Sequence, residues 1–406
     1  MDTSKPVLQV IKYFDLTVGG IINSILLGRR FHKAPFFGEE NMDEFRKLRS
    51  LLEEQSKLIY HHSFLMLMIA PSLRHFPYLK GAWQTMKTCS DNLFAFFRTQ
   101  INLHESEIDF DTEQEPSDLA EAYLRAREMI LPSLHSAPSL ARSLDERESE
   151  MKRLRERRRL REQTGDEGFY SHKQLENVLY DLWIAGLETT TGSLAWLMAY
   201  ILHQPEIQNK NPDGHQIVRK ATMIKTKIYH DSGTILRMRA EIKSVLRPGE
   251  EVVTTEHRTQ LPYCAAVIME TQRLANLIPL NFQRVTNKDT TINGFFIPAG
   301  TAIMPQISSV MYNEKIFPDP YAFDPDRFID EDGKLKNIDQ WMPFSIGARR
   351  CPGESLAKME LYLILTNLIL NFEILPDDSH RIPTMERTGT TVQKPEDHKL
   401  LLRALN

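Results

Sequence analysis

The sequence predicts a mostly α protein with small β-sheets, an α+β fold. Apolar residues recur at helical spacing through most of the chain, strand character appears only after Pro279, and no internal repeat divides the sequence. With 406 residues, 41% of them hydrophobic, the chain is long enough to bury a core around a large cofactor, and residues 1–406 read as a single domain.

The first helix spans about 7–31 and carries a Gly19-Gly20 step. A long amphipathic helix follows over 41–62, with Phe45, Leu48, Leu51, Leu52 and Leu58 near helical spacing. Pro71 and Pro77 then break the chain before a helix from Leu79 to Leu103. The acidic stretch Glu105–Asp118 reads as a loop, and helical pattern resumes at Leu119. The longest clean helix runs from Ser171 to His203 and is apolar on most sides, which makes it central. Helices also run over Arg239–Leu246, Tyr263–Leu277 and Gly353–Leu370. The Asn-Gly pair in Thr290–Phe296 marks a hairpin turn, and Thr301–Ile307 is a further strand. Residues 129–151 and 211–238 read as insertions or loops, and the charged run ERESEMKRLRERRRLREQ as a solvated face.

The formal net charge of −4 gives no electrostatic case for nucleic acid as a partner. The three cysteines, Cys89, Cys264 and Cys351, are widely spaced with no CxxC pair, which argues against a disulfide framework or a four-ligand zinc site and fits a reducing compartment. No apolar run reaches the ~18 residues of a transmembrane helix, and MDTSKPVLQV lacks the pattern of a signal peptide. The apolar stretch around Phe64–Ala70 is either a buried helix end or a surface for peripheral membrane contact.

The segment from Phe344 to Gly353 carries the chemistry. Cys351 falls just before a helix N-terminus, where the helix dipole and free backbone N–H groups favour a thiolate. Gly347 and Gly353 permit close approach of the backbone to a flat group, or a positive φ. Arg349 offers a cation, and Phe344 a shield for the sulfur. A thiolate held this way is a soft ligand suited to iron. A lone cysteine is also compatible with a small buried hydrophobe, or with a nucleophile paired to a distant histidine.

The loop matches the haem signature F-x-x-G-x-R-x-C-x-G at every fixed position, and the chain resembles the cytochrome P-450 haem-thiolate monooxygenases, nearest to their animal microsomal branch. The resemblance implies haem b, with Cys351 as axial ligand of the iron and Arg349 on a propionate. Ala185-Gly186-Leu187-Glu188-Thr189-Thr190 resembles the family's oxygen-activation motif. It implies a haem-side approach at Gly186, a relay carboxylate at Glu188 and a hydroxyl for dioxygen at Thr189. Glu270 and Arg273 match its E-x-x-R pair, and Arg327, in a P-E-R-F-like segment, completes a structural triad. Arg284 falls where a second propionate contact is expected.

The resemblance covers 171–205 and 239–406, with weaker likeness back to about Asp15. It implies a chain truncated at its N-terminus near the family's helix E, without the W-x-x-x-R haem contact and without an anchor. The implied activity is oxidation of paired donors, inserting one atom of dioxygen into a lipophilic small molecule (xenobiotic, steroid or fatty-acid-like), with an NADPH-cytochrome reductase as electron donor. Pocket candidates are the helix face at Ala185 and Thr189, the segment Leu277–Phe282 and the loop Gly389–Thr391. The implied location is the cytoplasmic face of the endoplasmic reticulum membrane, or the cytoplasm in the absence of an anchor. The alternative is an incomplete chain that acts as a non-enzymatic binding protein.

Overall fold

A computed structural model describes residues 7–30, 42–59, 63, 66–67, 71–110, 112, 114–133, 170–203, 233–377, 382–388 and 392–405. The charged run, most of Phe64–Ala70, the loop Gly389–Thr391, and residues 134–151 and 211–232 of the two expected insertions lie outside them. The chain divides into two compact units, one of Leu16–Leu187 and the other of Met1–Asp15 with Glu188–Asn406.

The first unit is helical. Helix α1 (Val10–Leu27) enters it, followed by α2 (Met42–Ile59), α3 (Pro77–Glu107), α4 (Leu119–Ser133) and the beginning of α5 (His172–Leu202). Close helix contact explains two glycines. A Cβ at Gly19 would lie 2.9 Å from the Phe45 ring, and one at Gly186 only 2.8 Å from Cδ1 of Ile22. The expected loop Glu105–Asp118 starts later than the sequence suggests, because α3 continues to Glu107. Asp118 Oδ1 then caps α4 by accepting the Glu121 N–H at 2.9 Å.

Among the described residues, the second unit carries all the β-structure. Strands β1 (Val7–Gln9), β9 (Lys399–Ala404) and β6 (Phe372–Pro376) form an antiparallel sheet in the order β1-β9-β6. Strand character therefore begins at the amino end of the chain and not after Pro279. A three-residue strand is too short to show a period of two, and it hides in the apolar pattern of the helix that follows. Two-stranded ladders pair β2 (Arg284–Val285) with β5 (Ala302–Ile303), β3 (Thr290–Ile292) with β4 (Phe295–Ile297), and β7 (Arg387–Thr388) with β8 (Lys394–Pro395). The β3–β4 hairpin turns at Asn293 (φ 49°) and Gly294 (φ 84°), the two left-handed positions an Asn-Gly loop supplies. Of the expected strand Thr301–Ile307, only Ala302–Ile303 pairs as a strand, with a single further bridge from Gln306 to Leu280.

The helices of this unit are α6 (Thr234–Val245), α7 (Pro262–Ala275), the short α8 (Ser308–Met311), α9 (Glu354–Asn371) and the end of α5. Helix α6 begins within the expected insertion 211–238, and α4 continues to Ser133 within 129–151. Pro262 opens α7, where its missing N–H costs nothing, and left-handed Asn276 (φ 41°) closes it. Every residue of α5 from Thr190 to Ala199 is buried, as its apolar surround predicts.

Among the described residues α1 alone is long and apolar enough to cross a membrane, with a mean hydropathy of 1.5 over eighteen residues. This corrects the expectation that no helix qualifies: Lys12 and Asp15 interrupt the apolar run without lowering its average below that of a span. Since 56% of the helix is buried within the protein, it also fits an ordinary core helix.

Candidate active site

The cysteine loop is held from both sides. Cys351 donates its N–H to the Phe344 carbonyl (2.9 Å), closing the loop on itself. Gly347 takes φ +77°, which favours glycine, and a short turn over Gly347–Arg349 sends the Arg350 N–H back to the Gly347 carbonyl at 3.1 Å. Gly353 has φ −87°, so its backbone needs no glycine. A Cβ there would lie 3.9 Å from Cys351 Sγ, an ordinary van der Waals contact. The half-buried Cys351 thus stands two residues ahead of Gly353, which caps the N-terminus of α9.

Beside the loop lies a cavity of about 380 Å³ lined by Asn281, Arg284, Ile307, Val310, Met342, Ser345, Ile346, Ala348 and Arg349, among others. Ser345 is strained into the left-handed region (φ 63°), and its Oγ accepts a 2.8 Å hydrogen bond from Asn281 Nδ2. Large apolar side chains stay open here: Ile346 is 64% and Phe282 66% exposed. Surface of this kind on a folded chain marks a binding face.

The triad forms as expected. Arg273 grips Glu270 with two hydrogen bonds (2.7 and 2.9 Å), and both side chains are fully buried. The remaining Arg273 donors reach the carbonyls of Met311, Pro320 and Ala322. Arg327 Nε adds a third contact to Glu270 at 3.0 Å, and the Asp324 N–H a fourth at 2.9 Å. Trp341 Nε1 donates to the Met269 carbonyl (3.0 Å), which ties the segment ahead of the cysteine to the triad's helix.

On α5, Glu188 forms an ion pair with Lys394 of β8, and the Thr189 carbonyl accepts the Ser193 hydroxyl at 2.9 Å. Lys394 was not legible as a site residue, because nothing local marks it. Neither was Glu360, a carboxylate in the apolar run of α9, whose only signal is its polarity there. Burial pushes its carboxyl up to about 7, against a hydrogen bond from Thr190. Gly186 packs against Ile22 of α1.

The sequence model of the cytochrome P450 family matches residues 2–213 and 226–402, and the chain belongs to that family. Cytochrome P450 2U1 of Homo sapiens is 28% identical over 376 residues, which is 92% of this chain and 56% of the relative. Cytochrome P450 2J2 of Homo sapiens is 29% identical over 94% of this chain and 62% of its own length. Cytochrome P450 2E1 of Oryctolagus cuniculus is 33% identical over 52% of this chain and 37% of its own. The chain thus spans about half to three-fifths of the length of the relatives it matches along most of its own.

Members of this family bind haem iron, and the residues present fit that group. The cavity has apolar walls and two arginines, Arg284 and Arg349, which suit a flat apolar ring bearing carboxylates. The donor itself is a thiol before a helix N-terminus, with no competing cluster of three or more metal-ligating side chains among the described residues.

Proposed function

We propose that the chain is a haem-thiolate monooxygenase that inserts one oxygen atom of dioxygen into a lipophilic small molecule, with electrons from an NADPH-cytochrome reductase. The observation that carries this reading is the cysteine loop: Cys351 is closed onto Phe344, placed before a helix N-terminus, and set beside a cavity with two arginines. A bound haem b would supply reductive activation of dioxygen, which a thiolate ligand to its iron would favour. Cys351 Sγ would be the iron ligand, and Arg349 and Arg284 would hold the propionates. Phe344 and the open apolar side chains around Ile346 exclude water from the sulfur side.

On α5, Thr189 would supply a hydroxyl for dioxygen, and Glu188, held in place by Lys394, a carboxylate that relays protons. The triad of Glu270, Arg273 and Arg327 fixes the segment before the loop. The substrate is a xenobiotic, steroid or fatty-acid-like molecule, matching apolar residues such as Leu277 and Phe282. The working location is the cytoplasmic face of the endoplasmic reticulum membrane, with α1 a weak anchor candidate at most.

The test is a reduced, carbon-monoxide-bound difference spectrum of the chain supplied with haem. A red-shifted Soret band of the thiolate type is expected, and Cys351→Ser should abolish it. A band unchanged by that substitution would remove Cys351 as ligand. Absence of the band in the unsubstituted chain would favour the non-enzymatic alternative. Thr189→Ala is expected to raise peroxide release per electron pair consumed; unaltered release would take dioxygen handling away from Thr189.

A further inference from the structure

We propose that Lys358 positions the thiolate loop, and that Lys358 and Glu354 together form a balanced charge pair that sets how readily iron held by Cys351 accepts an electron. The inference rests on the haem-thiolate reading above, and concerns two residues that no motif assigns.

Lys358 Nζ donates to Glu354 Oε1 at 2.6 Å, one turn back along α9, the helix that follows the cysteine. The same ammonium stands 5.0 Å from the centre of the Trp341 ring and 5.5 Å from that of Phe344. These rings meet edge to face, with centroids 6.3 Å apart. Each is anchored by its own residue: the Trp341 indole donates to the Met269 carbonyl at 3.0 Å, and the Phe344 carbonyl accepts the Cys351 N–H at 2.9 Å. The cation is therefore fixed by one carboxylate and two aromatic rings, and one of those rings belongs to the residue that closes the cysteine loop. A lysine on a solvated helix face keeps its rotamer freedom; this one is tethered on three sides, at 29% side-chain exposure beside a carboxylate at 28%.

A positive charge near a thiolate-bound iron favours the reduced metal, and a negative charge favours the oxidised one. With both partners present the two charges oppose each other. Removing either leaves the other unbalanced, so the two substitutions must act in opposite directions. A lysine that merely covers the aromatic rings would produce no such reversal.

The experiment measures the reduced fraction of the haem-loaded chain at a fixed solution potential, read from the Soret band of each variant. Lys358→Met, which keeps the length of the side chain and loses its charge, is expected to lower the ratio of reduced to oxidised iron roughly two- to fivefold, the order expected for loss of one partly solvent-screened charge. Glu354→Gln is expected to raise it by a similar factor, and Lys358→Arg to stay near the unsubstituted value. Shifts of Lys358→Met and Glu354→Gln in the same direction, or no shift in either, would overturn the charge-pair assignment while leaving the haem-thiolate reading intact. Absence of the thiolate-type band in the unsubstituted chain would overturn both.

Discussion

Arg273 and Arg349 belong to the same unit and to neighbouring motifs, yet they are used in opposite ways. The guanidinium of Arg273 is fully buried and spends its donors on Glu270 and three backbone carbonyls. Arg349 is exposed on the cysteine loop and lines the cavity. The first arrangement is closed: every donor direction ends on protein, and nothing external is needed. The second is open, with a cation, a strained serine and large apolar side chains facing space. A fully satisfied buried cluster specifies a shape, whereas a partly satisfied surface specifies a partner.

The difference can be broken most forcefully at the closed end. Arg273→Ala leaves Glu270 buried with only Arg327 as a cationic partner, and is expected to cost about 3–5 kcal/mol in denaturant unfolding. A loss below about 1 kcal/mol would mean that the triad is not the rigid element of this unit.

The next largest effect is on pH dependence. The Glu360 carboxyl is raised to about 7 by burial, so the folded chain holds its proton more tightly than the unfolded chain does. Its contribution to stability is full below about pH 4.5, the ordinary glutamate range, and is lost as pH rises through about 7. The loss is on the order of 3 kcal/mol for a shift of that size. Glu360→Gln should flatten this part of the stability profile. An identical slope for both chains between pH 5 and 7, measured as Tm against pH, would show that Glu360 is not the group that titrates.

Smaller effects sharpen the open end. Asn281→Ala removes the hydrogen bond that holds Ser345 in its left-handed conformation, and is expected to cost about 1 kcal/mol. Arg349→Ala should change stability by no more than about 0.5 kcal/mol while weakening haem retention, measured by the rate of transfer to a haem acceptor. A destabilisation as large as that of Arg273→Ala would erase the contrast between the two arginines.

Much of the candidate site was legible because its chemistry is written in short segments. The loop from Phe344 to Gly353 and the pair Glu270 and Arg273 act through residues a few positions apart. The long helices were legible for the same reason, with ends within a few residues of those expected. What depended on distant partners was not. Lys394 meets Glu188 from the other end of the unit, and β1 pairs with a strand at the far end of the chain. The contact of Gly186 with Ile22 is likewise hidden, because Ile22 lies on another helix that no local pattern reveals. Gly353 reads as permitting either close approach of a flat group or a positive φ, and its φ of −87° removes the second of these.

The pairing of β1 with β9 has a consequence for how the protein is made. Val7 lies opposite Leu401 in the register, so the sheet joins residues separated by nearly the whole chain. While the ribosome is still working, β1 has no partner, and β6 lacks the neighbour it needs on the same strand. The sheet closes only after Lys399–Ala404 has been synthesised, and pairing over so long a sequence separation is intrinsically slow. Until then β1 and β6 present unpaired backbone edges, the kind of surface through which folding chains associate wrongly.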